Sequence, residues 1–282
     1  MKTAFVLSGG GAKGAFQVGA MDALIAKGIK PDAIYGTSVG ALNAFGVGFA
    51  GIEETTRLWL AIKGNEDILG SNFWSFMFGA KFATPGKLEG WYSLSPLRKK
   101  LLKIAEQYRT SSCEVVVCYT DLLDGSLNYA YGKNPEQLIP YVEASSAVPF
   151  VMNPVKIKDL NGVTHYLVDG GLREQTPLKF AIDDGADEIY AILCNPYIQN
   201  PQETFIDAGP IPMITLGLRA IDVLQHEVFV NDIANCRLKN TIPEKRNISL
   251  KIISPEHTLI ETLQFNPDKI RLAIEQGKNA VK

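Results

Sequence analysis

The chain has 282 residues, 46% of them hydrophobic and 21% charged, which is enough apolar material for a sizeable core and too much for a disordered segment. With 28 Lys and Arg against 30 Asp and Glu the formal charge is -2, so no overall positive field gathers nucleic acid or anionic lipid. Any membrane contact is expected to be local and peripheral. Cys113, Cys118, Cys194 and Cys236 form no C-x-x-C pair, which points to reduced thiols in the cytosol and against a zinc site or a disulfide framework.

The chain enters an apolar run of four residues, Ala4 to Leu7, too short for a signal peptide and suited to a first strand over Thr3 to Leu7. Ser8-Gly9-Gly10-Gly11-Ala12-Lys13-Gly14 follows, then a helical pattern from Ala15 to Lys27. This satisfies G-x-G-x-x-G, yet a dinucleotide site wants an acidic residue at the end of the second strand, roughly 20 residues on. That strand, Ala33 to Tyr35, runs instead into Gly36-Thr37-Ser38-Val39-Gly40, and Asp32 lies before it. A Walker loop is excluded because Lys13 precedes Gly14 and no Ser or Thr follows.

Gly36 to Gly40 reads as a nucleophile elbow: a strand-to-helix turn that holds Ser38 clear of the sheet, with small residues two positions either side. Next to an activated serine, the N–H groups of Gly9, Gly10 and Gly11, joined by that of Val39, suit an oxyanion hole. Lys13 either fixes this loop or adds positive charge to it, or else stands solvated at a helix start.

A helix is expected over Val39 to Ala50, and the low-charge stretch Val39 to Ile52 falls short of the roughly 20 apolar residues that span a bilayer. Phe73-Trp74-Ser75-Phe76-Met77-Phe78, with Trp91 and Tyr92, is a dense aromatic cluster that suits core packing or a lipid-facing lid. Ser93 to Tyr108 carries leucines at 94, 97, 101 and 102 with cations between them, an amphipathic helix. Strands are expected at Glu114 to Asp121, Leu127 to Tyr131, Thr164 to Val168 and Glu188 to Cys194, with helices near Pro135 to Ser145 and Pro177 to Asp184. Alternation of this kind predicts a mainly parallel sheet covered by helices.

Leu167-Val168-Asp169-Gly170-Gly171 puts a carboxylate at the C-terminal end of a strand, where open α/β sheets collect their sites. Of the three histidines, His165 lies within a strand, His226 within a helix pattern without a second histidine for a zincin, and His257 in a late loop. Only His257 would suit a conventional triad, so Asp169 is the better base. Beyond Asn195 a proline-bearing loop, a helix from about Met213 to Cys236, a strand at Ile248 to Ile253 and a helix over Pro267 to Val281 complete the chain. A single domain over 1–282 is expected, with a motif-bearing core at 1–196 and an extension at 197–282 packed on it.

These motifs together resemble the patatin-like phospholipases. Gly9 to Gly14 matches the family's oxyanion loop, Gly36 to Gly40 its elbow, Asp169-Gly170-Gly171 its Asp-Gly-Gly, and Ala144-Ser145-Ser146-Ala147-Val148-Pro149 its Ala-Ser-x-Ala-x-Pro segment. The resemblance implies a three-layer α/β/α sandwich and a Ser38–Asp169 dyad without histidine, metal or cofactor. It implies hydrolysis of phospholipid, lysophospholipid or other acyl esters. Gln175 departs from the pattern, since family members often carry Asn two positions before the proline. Two alternatives stay open on sequence: an acyltransferase or thioesterase using the same dyad, and a nucleotide-binding α/β protein using the glycine loop.

Overall fold

The computed structural model describes residues 1–71, 92–149, 151–197, 223, 227, 230, 234, 247–257 and 260–281. The aromatic cluster at 73–78, Trp91 and His226 lie outside them. So does Cys236, and of the helix expected over Met213 to Cys236 only the helical positions 223, 227, 230 and 234 are described.

One sheet of eight strands organises the chain. Five run parallel in the order β10 (Ser249–Ile253), β9 (Glu188–Ile192), β1 (Thr3–Leu7), β2 (Ala33–Thr37) and β5 (Glu114–Asp121). Antiparallel strands β6 (Leu127–Gly132), β7 (Val155–Lys158) and β8 (Thr164–Asp169) extend it beyond β5. A separate pair, β3 (Gly70–Ser71) and β4 (Tyr92–Ser93), stands apart.

Side chains of the central strands alternate between two cores, as a strand's two-residue period dictates. Phe5, Leu7, Ile34, Val115 and Val117 pack on one face, against α1 (Ala15–Ala26), α2 (Val39–Phe45), α3 (Gly51–Leu60), α4 (Ser95–Gln107), α5 (Pro135–Ser145) and α7 (Pro267–Ala280). Ala4, Val6, Ala33, Tyr35 and Val116 face the other way, where α6 (Leu178–Asp183) packs. Burial on both faces explains the unbroken apolar run Val115 to Cys118. The architecture is the expected three-layer α/β/α sandwich with a mostly parallel sheet.

Two local features differ from expectation. The helix begun at Val39 does not run straight to Ala50: a π-helical turn occupies Gly46–Ala50, and Gly51, at φ 83°, re-aims the chain into α3. β7 was not expected as a strand, because its four residues, Val-Lys-Ile-Lys, acquire their extended form from antiparallel pairing with β8. At the C-terminus β10 pairs with β9, and α7 lies on α1 so closely that a methyl group on Gly19 would overlap the Ile274 carbonyl and one on Gly277 that of Phe16.

Candidate active site

The register of β5 brings the two key motifs together. β2 pairs with β5 as far as Thr37 opposite Cys118, and at the next residue of β5, Tyr119, the partner is Asp169 of β8. Cys118 and Tyr119 also pair with β6, so β2 and β8 must share the opposite edge of β5. Their C-terminal ends therefore meet head-on, and Ser38 and Asp169, distant in sequence, become neighbours.

At the end of β2 the backbone reverses sharply. Ser38 has φ 56° and ψ −124°, the one non-glycine residue with positive φ among those described. Such a conformation costs on the order of 1–3 kcal/mol and persists only where surroundings over-determine it. The flanking glycines are sterically compelled: a methyl on Gly36 would collide with the Gly40 carbonyl, and one on Gly40 with that of Leu7. The Ser38 carbonyl accepts from Ala41 and Leu42 and starts α2, while its N–H donates to Ser145 Oγ at 2.8 Å.

Ser145 is fully buried and passes its own hydrogen to the Cys118 carbonyl at 2.6 Å. Two residues on, the Ala147 carbonyl accepts the Asp169 N–H at 3.0 Å. One short segment thus brackets both sides of the site: a hydroxyl holds the backbone of Ser38 and a carbonyl holds that of Asp169. Sequence matching reached this segment but not its role, which depends on contacts across three elements.

The Asp169 carboxylate is 6% exposed and accepts the Gly171 N–H at 2.7 Å, with the Ser38 side chain as its other hydrogen-bond partner. Burial raises its pKa to about 6; the bonds from Ser38 and Gly171 pull the other way and only partly offset it. Gly170 leaves no room for a side chain, because a methyl there would overlap the Cys118 carbonyl.

The glycine loop at the end of β1 takes φ values of 154° at Gly10 and 57° at Gly11. Gly9 requires a correction to the expected donor set, since its N–H is given to the Gln175 carbonyl at 2.9 Å. No acceptor among the described residues takes the N–H groups of Gly10, Gly11 or Val39. Gln175 also reaches back with its side chain to the Gly9 carbonyl at 3.4 Å, so the residue that departs from the family pattern clasps the loop at two points. Lys13 is buried rather than solvated and donates to Asn195 Oδ1 at 2.8 Å, which fixes the loop.

Below the loop runs a buried polar chain that no motif announced. Trp59 Nε1 donates to Asn43 Oδ1; Asn43 Nδ2 donates to the Gly14 carbonyl and to Gln17 Oε1; Gln17 Nε2 donates to the carbonyls of Ser8 and Ile192. It ties α1, α2 and α3 to the ends of β1 and β9. Gly14 completes the contact by lying against Val39 with no space for a methyl.

Ser38, Asp169 and the glycine loop open onto a cavity of about 170 Å³. Its walls are largely apolar: Leu42, Leu58, Trp59 and Ile62 on one side, Leu97, Leu101, Ile104 and Met152 on another, with Leu263 and Phe265 from the C-terminal segment. Neither described histidine lines it. His165 is paired through Nδ1 to Asp121 at 2.5 Å, and His257 lies beside Lys13 and Cys194 in a different, much smaller recess. Cys113, Cys118 and Cys194 are buried, and burial pushes the Cys118 thiol well up. Among the described residues no group of three or more His, Cys, Asp or Glu side chains is placed to hold a metal ion, and no described helix is long and apolar enough to cross a membrane.

The chain is 26% identical over 192 residues to the uncharacterized protein YqhO of Bacillus subtilis, a match covering 61% of this chain and 64% of that protein. The crystal structure of VipD from Legionella pneumophila aligns over 99% of this chain and 66% of its own, with 12% identity and a TM-score of 0.45. The chain thus spans just under two thirds of the length of each. A sequence profile described as patatin-like phospholipase matches residues 5–182, which hold the glycine loop, the elbow and Asp169-Gly170-Gly171, and the chain belongs to that family.

Proposed function

We propose that the protein is a lipid acyl hydrolase that works through a Ser38 acyl-enzyme with Asp169 as general base. One observation carries the reading: a strained serine elbow abuts a buried carboxylate of raised pKa at the end of an apolar cavity. Asp169 takes the Ser38 hydroxyl proton while Oγ bonds to the ester carbonyl carbon. The N–H groups of Gly10, Gly11 and Val39 hold the oxygen on which charge develops; each such donor is worth on the order of 3 kcal/mol in the barrier. As the carbon–oxygen bond to the alcohol breaks, that alcohol leaves with the proton from Asp169. A water then gives a proton to Asp169 and its hydroxide to the acyl carbon, and Ser38 recovers its hydrogen as the fatty acid departs.

Burial answers the objection that a carboxylate is too weak a base for serine, because lifting its pKa to about 6 narrows the gap. The largely apolar walls suit an acyl chain and offer a single cation among the described residues, Lys100, where a polyphosphate needs several donors, which favours this reading over nucleotide binding. The test is labelling with a fluorophosphonate and hydrolysis of a chromogenic acyl ester. Ser38→Ala is expected to abolish both, Asp169→Asn to lower hydrolysis by at least about 10³-fold, and replacement of His165, His226 and His257 together to leave hydrolysis standing. A folded His257 variant without activity would sink the dyad. Product analysis with a mixed lipid extract separates release to water from transfer to another acceptor.

A further inference from the structure

α4 buries Leu97, Leu101 and Ile104, each at most 7% exposed, as one stripe at the i, i+4, i+7 spacing of an amphipathic helix. Lys100, at i+3, belongs to the same stripe. It is half-buried and, with those three residues, lines the cavity that holds Ser38. Apart from Asp169 it is the only charged side chain among the described residues lining that cavity.

The other cations of α4 are differently placed. Arg98 pairs with Glu143, while Lys99 and Lys103 are exposed. The Lys100 side chain makes no hydrogen bond or ion pair with a described residue. A polar residue on an apolar stripe without a partner breaks the rule that organises the rest of the helix, and such exceptions gather at functional sites. Its stem can pack on the leucines while the ammonium, a compact point charge, stays in the cavity.

Resting on the hydrolase reading above, we infer that Lys100 is a specificity residue that receives an anionic oxygen group, a phosphate carried on the alcohol side of the acyl ester. Asp169 at the reacting end and Lys100 along the wall then sort an amphiphile by charge. The acyl carbonyl goes to Ser38, and the phosphate is drawn to the one cation available.

The test compares two lipids with the same acyl chain, a monoacylglycerol and the corresponding monoacylglycerol phosphate, dispersed below their micellar concentrations. For the full-length protein, kcat/KM is expected to favour the phosphate-bearing lipid. Lys100→Gln is expected to reduce that preference about tenfold through KM, equivalent to about 1.4 kcal/mol. Lys100→Arg should largely keep the preference, Lys100→Glu should erode it further, and Lys99→Gln, on the exposed face, should leave it as it is. An unchanged preference in folded Lys100→Gln protein would overturn the assignment while leaving hydrolysis intact. A charge preference that depends on Lys100 only with vesicles of anionic phospholipid, and not with dispersed lipid, would also overturn it, assigning the lysine to surface docking instead. Calorimetric binding of both lipids to Ser38→Ala protein separates the remaining failure: preference through Lys100 without turnover by the wild type removes the hydrolase reading and keeps the phosphate site.

Discussion

The Ser145 hydroxyl joins the strained Ser38 backbone to the Cys118 carbonyl, and no other described group replaces it. Ser145→Ala leaves both partners without this bond, a buried defect worth about 1–3 kcal/mol of stability. It also frees the elbow to relax, and displacement of about 1 Å at a reacting atom can cost on the order of 10²-fold in rate. The expected outcome is a folded protein with kcat reduced about 10–100-fold and KM little changed. Ser145→Thr, if it keeps the hydroxyl in place, should recover part of the loss. Asp169 makes a prediction with a definite pH sign. Its folded pKa lies above the ordinary carboxylate value, so the native state binds the proton more tightly than the unfolded chain does, and stability is lost as pH rises from about 4 to about 6. Asp169→Asn removes that dependence. The variant should be inactive yet more stable than the wild type by on the order of 3 kcal/mol at pH 8, with the gain vanishing near pH 4, as denaturant titrations would read. Hydrolysis by the wild type should fall about tenfold per unit as pH drops below about 6, because the base is then protonated.

At the scale of elements, close backbone approach is the recurring device. α1 is buried over most of its circumference, between the sheet and α7, and Gly19 and Gly277 let the two helices meet backbone to backbone. Gly19→Ala or Gly277→Ala forces a methyl into a carbonyl and is expected to destabilise by about 1–3 kcal/mol or more, measured by denaturant unfolding. Because Thr262, Leu263 and Phe265 line the cavity just before α7, the same variants should also weaken binding of long acyl chains. Strands with strong two-sided burial, such as Glu114 to Asp121, were legible from composition, since a run of Val and Cys has no other comfortable place. Helices with proline at their first turn and a cap, such as Pro135 to Ser145 behind Asn134, were equally so. β7 was not, because an edge strand of four residues takes its form from its partner. The break between α2 and α3 escaped as well, since it rests on the positive φ of Gly51, one of several glycines in that stretch.

Across the whole molecule, the sheet converts separate motifs into one cavity. Its parallel half delivers the glycine loop and the elbow from β1 and β2 to the same edge, and its antiparallel half delivers Asp169 from the opposite direction. The final helix packs on the first, and the stretch between β10 and α7 supplies apolar wall through Leu263 and Phe265, so the C-terminal segment, which carries no recognisable motif, still shapes the cavity. The sequence by itself determined what is local: the glycine-framed turn that only small residues allow, the Asp-Gly-Gly strand end, and the alternation of strands and helices. These follow from steric limits on a few consecutive residues. Tertiary structure decided the rest. The register on β5 made Ser38 and Asp169 neighbours, Ser145 and Ala147 became their bracket, Gly9 spent its N–H on Gln175, and Lys100 was turned toward the cavity. Each of these depends on which backbone groups find partners across the fold, and that is settled only when the sheet is assembled.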